Sequence, residues 1–346
     1  MSTVKTILVT RLSAMGDVAM TIPVMKQVLE ENPAVSIVFV TNKNWGALCA
    51  GIPRLTFFPA DVKGIHKGIK GLYRLFREIK KAHRIHVVAD LHNVLRSKII
   101  RTFFRLSGTP VAFIDKGREG KKTLTRRENK VLQQLTTTIE RYAVVFRQLG
   151  FRCEMGRKPV FSPRELSAST IAIIGPKQAK KWIGLAPFAT YREKMYPLEK
   201  MEEVLQQLLQ EPDHQILLMG GGKQETELLT ALAQRYPQST VVAGRFSLQE
   251  EMAIISHLDV MISMDSANMH LASLFGVPVV SVWGATHPFA GFMGYAQEVS
   301  NAVQINDLSC RPCSVFGNKP CFRGDHACME WIQPAIITEK VKLQIV

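Results

Sequence analysis

The stretch "TILVTRLSAMGDVAMTIPVMKQVLEEN", residues 6–32, decides how the fold begins. An apolar run at 6–10 meets a turn containing Gly16 and Asp17, and an amphipathic segment follows over 18–31. A strand buried on both faces reads as an unbroken Val/Ile/Leu run, so this is a strand passing into a helix, the first half of a βαβ unit. Asp17 suits the first turn of a helix on electrostatic grounds alone. It also places a carboxylate at the carboxyl end of a strand, where open α/β sheets bind their ligands.

The same alternation recurs at "SIVFV" (36–40), "HVVAD" (86–90) and a helical segment at 94–106. It breaks over the charged, turn-rich 115–135 and resumes in a helix over about 130–149. A Pro-, Ser- and Gly-rich stretch at 156–170 reads as a linker. A second series follows: strands at 182–187, 215–222, 240–244, 259–263 and 278–284, with helices at 198–210, 223–235, 247–257 and 266–275 between them. The pattern predicts two doubly wound α/β domains, 1–160 and 181–346, joined by a linker at 161–180. The C-terminal helix is left open to packing back on the first domain.

No apolar stretch reaches the length of a membrane span, and the N-terminus lacks a basic-then-apolar leader, so the expectation is a cytoplasmic protein. The net charge of +15 is concentrated: residues 63–130 hold 19 Lys and Arg against 5 Asp and Glu. Such a block attracts polyanions, or is simply a solvated basic surface. Four of the six cysteines, Cys310, Cys313, Cys321 and Cys328, fall within nineteen residues. Their C-x2-C-x7-C-x6-C spacing reads either as a candidate structural Zn²⁺ site or as free thiols in a compact loop.

Three strand ends in the second half carry unusual residues. "MDSANMH" (264–270) starts a helix with Asp265, Ser266 and the small Ala267, a terminus that favours anions. "MGGGKQETE" (219–227) allows close backbone approach and follows it with Glu225, suited to ribose hydroxyls, although its spacing is not G-x-G-x-x-G. "APFATYREKMYPLEK" (186–200) holds Lys194 three residues before Pro197, where it can neutralise a diphosphate. Each has a plainer reading as an N-cap, a tight turn or a surface lysine.

Taken in order, "RLSAMGDVAMTIPV", "DLHNVLRS" (90–97), "EKMYP", "DSANMH" and "GVPVVSVWG" resemble the motifs of glycosyltransferase family nine, the ADP-heptose:lipopolysaccharide heptosyltransferases. The resemblance implies a GT-B fold, two Rossmann-like domains facing across a cleft, with the acceptor on the N-terminal side and the nucleotide sugar on the C-terminal side. It implies that Asp265, Ser266 and Ala267 line the donor diphosphate, that Lys194 pairs with its phosphates, that Glu225 holds the ribose, and that His270 is structural. Ala267, Tyr196 and Ala285 stand where the family commonly has Gly, Trp and Pro.

The implied reaction is a single displacement with inversion, with Lys194 and the 265–267 helix start stabilising the leaving diphosphate. Asp17 is the expected base, accepting the hydroxyl proton late, as attack on an oxocarbenium-like centre acidifies it. No D-x-D pair ends a strand, so no cofactor is expected for catalysis. Acceptor recognition falls to Gly16, Arg96, Ser97 and the run "KGREGKKTLTRR" (116–127) with Lys121 and Lys122, suited to a phosphorylated acidic glycolipid at the inner face of an anionic inner membrane. The alternatives are another nucleotide sugar, a sugar-nucleotide epimerase, or a basic nucleic-acid-binding module; aromatics do not interleave with the charge, which argues against the last.

Overall fold

The structure, a computed structural model, describes residues 5–345. The chain forms β1 (Lys5–Thr10), α1 (Met15–Ala19), α2 (Thr21–Glu31), β2 (Val35–Asn42), β3 (Leu55–Ala60), α3 (Gly68–Ala82), β4 (Val87–Asp90), α4 (Leu95–Leu106) and β5 (Val111–Phe113). Next come α5 (Arg118–Thr125), α6 (Thr138–Gln148) and α7 (Ala168–Ile174). The second series is β6 (Lys181–Ala186), α8 (Leu198–Leu208), β7 (His214–Leu218), α9 (Lys223–Arg235), β8 (Ser239–Val241), α10 (Leu248–Ile255), β9 (Val260–Met264), α11 (Ala267–Leu274) and β10 (Val279–Val282). It closes with β11 (Ala302–Val303), α12 (Ala327–Glu330) and α13 (Pro334–Lys342).

Two compact units result, and their boundaries differ from the expected ones. Unit 1 holds the described residues through Gly117 together with Thr138–Arg157; unit 2 holds Arg118–Thr137 and everything from Lys158 onward. The charged 118–137 stretch, read as part of the first domain, contains α5 and belongs to the second. Its basic side chains are drawn onto unit 2: Lys121 is buried with Nζ 4.2 Å from the Phe292 ring centre, Arg127 lies over Phe322, and Lys130 Nζ donates to the carbonyls of Ser309, Cys310 and Pro312. The expected linker at 161–180 is also folded into unit 2. Ser167 caps α7 by accepting from the Thr170 N–H, Thr170 and Ile174 are buried, and the Phe161 ring packs on Phe275. The C-terminal α13 packs within unit 2 as well, its Ile337 and Val341 sharing a core with Leu205 and Leu208 of α8.

Unit 1 is a parallel sheet in the order β3-β2-β1-β4-β5. Its central strands β1, β2 and β4 are buried on both faces, which is why β1 reads as a continuous apolar run. On one face Leu72, Leu75, Phe76 and Ile79 of α3 and Ile100 and Phe104 of α4 cover Leu8, Val38 and Val88. Unit 2 is a second parallel sheet, β11-β10-β9-β6-β7-β8. Trp182 and Trp283 are fully buried there, and each finds a partner for its indole N–H, in Gln215 Oε1 at 3.0 Å and Ser281 Oγ at 2.8 Å.

In each sheet the chain winds outward in one direction and then restarts on the other side of its first strand. That reversal opens a crevice at the carboxyl ends of β1 and β4 in unit 1, and of β6 and β9 in unit 2.

Candidate active site

At the unit 1 switch point, β1 delivers residues 11–17 and β4 delivers 91–97. Arg11 is buried, and its guanidinium donates to the Leu91 carbonyl at 3.0 Å and pairs with Asp17 Oδ2 at 2.5 Å. The same oxygen accepts from the Ala14 N–H at 3.3 Å, the reach-back half of a helix cap at the start of α1. Both contacts fall on Oδ2, so Oδ1 has no hydrogen-bond partner among the described residues. About a third of the Asp17 side chain stays exposed. Gly16 precedes it without a Cβ, half-buried in the same turn. Tyr142 of α6 closes the crevice floor; its hydroxyl donates to the Asp17 carbonyl, and burial raises its pKa.

The β4 end is organised by a carboxylate that the sequence reading did not single out. Asp90 is fully buried and accepts from Thr10 Oγ1 and from the backbone N–H groups of His92 and Asn93, while Arg101 pairs with it at 2.9 Å. This fixes the turn that carries His92. His92 Nδ1 accepts from the Leu12 N–H, and burial, followed by the Arg11 and Lys116 charges, pushes its pKa down to about 3. A neutral imidazole with its proton on Nε2 can donate to Ser13 Oγ, 3.4 Å away. Arg96 is exposed beside this turn. Ser97 is not available to a ligand: it is fully buried and exchanges hydrogen bonds with the Val94 N–H and carbonyl, closing the start of α4. Lys121 is likewise committed, to Phe292 of unit 2, whereas Lys122 is exposed on α5.

At the unit 2 switch point the loop after β6 brings Lys194 to the turn after β9. Lys194 Nζ lies 3.0 Å from Asp265 Oδ2, and both side chains are largely buried. Ser266 stands at the N-cap of α11, its hydroxyl 3.1 Å from Ser263 Oγ rather than on a backbone N–H of its own helix. The first N–H groups of α11, including that of Ala267, therefore face the crevice without a side-chain cap. His270 is buried in α11. Glu225 Oε2 accepts from the Gly221 N–H at 2.8 Å, holding the glycine loop after β7 in place.

The loop carrying the four cysteines buttresses Lys194. A Cβ at Gly317, whose φ is +73°, would stand 2.4 Å from Lys194 Cγ, so only glycine leaves room for the lysine stem. The loop is pinned by Arg311, a buried guanidinium that donates to the carbonyls of Trp283, Gly284, Thr286 and Ile305 and to Gln304. Burial pulls its pKa down to about 10, against the opposing pull of the nearby cysteines. All four cysteines are free thiols lining one small cavity together with Arg311 and His326. Burial raises the Cys313 thiol and pushes that of Cys328 up to about 11. Among the described residues, no three His, Cys, Asp or Glu side chains are grouped as metal ligands.

The unit 1 switch point presents a carboxylate, and the unit 2 switch point presents a lysine beside uncapped helix N–H groups, the latter suited to a phosphate-bearing ligand. Residues 72–319 match glycosyltransferase family 9 (heptosyltransferase). The chain belongs to that family. It is a glycosyltransferase, and its fold is GT-B. Among curated family 9 relatives, the lipopolysaccharide core heptosyltransferase OpsX of Haemophilus influenzae is 24% identical over 82% of this chain and 80% of its own length. The family 9 structure from Veillonella parvula aligns with a TM-score of 0.76 at 18% identity, covering 100% of this chain and 98% of that one. Escherichia coli heptosyltransferase WaaC, solved with ADP, aligns with a TM-score of 0.67 at 19% identity over 98% and 99% of the two chains, and it has also been solved with ADP-2-deoxy-2-fluoro heptose. No helix among the described residues is long and apolar enough to cross a membrane.

Proposed function

We propose that this family 9 glycosyltransferase moves a heptose from ADP-heptose onto an acidic, phosphorylated inner-core sugar of a lipopolysaccharide precursor, with inversion at the anomeric carbon. The observation that carries the reading is the chemical division between the switch points: a partly exposed carboxylate in unit 1, and Lys194 with the amino end of α11 in unit 2. The adenosine diphosphate is assigned to unit 2, its phosphates on Lys194 and the α11 N–H groups at Ser266 and Ala267, and its ribose near Glu225. The acceptor is assigned to unit 1, beside Gly16, Asp17 and Arg96. Asp265 acts by holding Lys194 in place.

In the step itself the acceptor oxygen bonds to the anomeric carbon, the bond from that carbon to the β-phosphate oxygen breaks, and ADP leaves with the electron pair. The hydroxyl proton passes to Asp17 Oδ1. Lys194 offsets the charge that grows on the departing diphosphate, the kind of preorganised electrostatic aid that is worth most in a site shielded from water. No metal takes part in this scheme, so transfer is expected to persist in excess chelator.

Three features support the finer assignments: the ADP and ADP-sugar analogue bound by WaaC, the lipopolysaccharide role of OpsX, and the basic N-terminal half. They favour placement at the cytoplasmic face of the inner membrane. The deciding experiment incubates the protein with ADP-heptose and a lipid bearing 3-deoxy-octulosonate, weighs the product, and reads the new anomeric configuration by NMR. A protein stabilised by UDP or GDP but not by ADP contradicts the donor assignment and favours another nucleotide sugar. A structural Zn²⁺ at the four cysteines rests on their shared cavity alone. Protein purified without added zinc that carries no metal removes that reading.

A further inference from the structure

The outer face of α3 and α4 carries side chains that neither the sheet nor the proposed chemistry uses. Between Lys63 and Leu106 the sequence has twelve Lys and Arg against two acids, Glu78 and Asp90. Asp90 is buried and paired with Arg101, and Glu78 pairs with Arg74, so the two acids offset two of these cations and ten are left without an acid in the segment. Leu72, Leu75, Phe76 and Ile79 point α3 into the core. Along the edge of that core-facing stripe Ile69 is 68% exposed and Tyr73, one turn on, is 46% exposed, while Ile65 in the preceding turn is 58% exposed. Lys67, Lys70 and Arg77 interleave with them, all exposed.

α4 continues the same surface. The Tyr73 ring meets Phe103 edge-on at 5.3 Å. Both helices connect parallel strands of one sheet, so they run in the same direction and share an amino-terminal end. The strip of α4 that holds Phe103 holds Ile99 one turn earlier and Leu95 two turns earlier, and Leu95 is 74% exposed beside Arg96 and Lys98.

A merely solvated basic face accounts for the lysines and gives no reason for four large apolar side chains among them. A single-stranded nucleic acid would match the cations but needs aromatic platforms for its bases, and Tyr73 is the one exposed ring on the patch. A lipid surface matches both sets of side chains: cations meet headgroup phosphates while apolar tips enter the boundary beneath them.

We propose that the α3–α4 face docks unit 1 on a bilayer containing anionic phospholipid, with Ile65, Ile69, Tyr73 and Leu95 entering the headgroup layer and the interleaved Lys and Arg facing lipid phosphates. This rests on the glycolipid-acceptor reading only for its purpose, and it relocates the membrane contact from the 116–127 run, whose Lys121 and Arg127 are held on unit 2 rings.

The test floats the full-length protein with phosphatidylcholine vesicles, with and without phosphatidylglycerol. Wild type is expected to bind the anionic vesicles about tenfold or more tightly. Two variants, Lys67→Glu/Lys70→Glu/Arg77→Glu and Ile69→Ser/Leu95→Ser, should each lose most of that binding while keeping melting temperature and ADP affinity. Equal binding of wild type to both vesicles overturns the proposal, as does an apolar variant that binds normally. RNA binding tighter than vesicle binding, abolished in the charge variant, overturns it in favour of a nucleic acid. Transfer to a deacylated, water-soluble acceptor separates this idea from the functional reading. Docking predicts normal transfer to the soluble acceptor by both variants and weakened transfer to the vesicle-borne one. Wild type that docks but transfers heptose to neither sinks the activity and leaves the docking standing.

Discussion

Asp17 and Lys194 are each held by one buried partner of opposite charge, and the two pairs do different work. Arg11 and the Ala14 N–H both engage Asp17 Oδ2 and leave Oδ1 without a partner among the described residues, so the carboxylate is oriented without being spent. Replacing Asp17 with Asn preserves shape and removes the proton acceptor. kcat for transfer should fall by about 10²–10⁴-fold with ADP affinity unchanged, and a normal rate in a single-turnover assay would reduce Asp17 to a helix cap. His92 makes a separate prediction, about stability. Its folded pKa of about 3 lies below the unfolded value near 6.5, so the native state refuses a proton that the unfolded chain accepts. The stability so contributed is present above about pH 6.5 and is lost as the pH falls toward 3, on the order of 2 kcal/mol by about pH 5. Denaturant midpoints near neutrality and near pH 5 should therefore fall more steeply for wild type than for His92→Gln, and parallel pH dependences would refute the assignment. Asp17 drew notice in the sequence as a carboxylate in the turn after a strand, and its proposed role as base came from the family resemblance. Arg11, six residues earlier in the same quoted stretch, did not, because one arginine after a strand reads as surface charge until its burial is seen.

At the level of elements, strands were easier to read than the segments that brace them. Buried parallel strands announce themselves as Val/Ile runs, and α9 and α11 fell close to where their periodicity put them. The stretch at 118–125 read as turn-rich because its basic side chains mask the buried Leu124, yet it is helical. What anchors it, the Phe292 ring and the carbonyls of the cysteine loop, is remote in sequence and could not be inferred from local composition. The cysteine loop was noticed for its thiols, but its evident mechanical role belongs to Arg311 and Gly317. Gly317→Ala places a methyl in the space of the Lys194 stem at a left-handed φ, so the lysine must move. ADP affinity is expected to drop by about tenfold or more, since a charged phosphate contact is typically worth 1.5–3 kcal/mol. Calorimetry on the folded variant measures it, and an unchanged Kd would show that the lysine adapts. Tyr196 stands where the family commonly has Trp and remains a buried anchor, its hydroxyl donating to the Ile332 carbonyl at 2.8 Å.

Across the whole molecule, the fold class was legible from alternation alone, whereas the division of the chain was not. Composition marks 156–170 as a linker, but those residues lack the isolation a linker needs: Val160 and Phe161 donate to the Leu274 carbonyl, and Pro159 packs where a Cβ on Gly276 would stand. Unit 2 is therefore assembled from two separate runs of sequence, with α6 and the end of unit 1 lying between them. This has a bearing on how such enzymes diversify. A single recombination event between two relatives would strip either α5 or α6 of the core it grew with, so neither unit can be inherited as a cassette. New sugar specificities in this lineage are then expected to arise by substitution around the two crevices, with both units descending together.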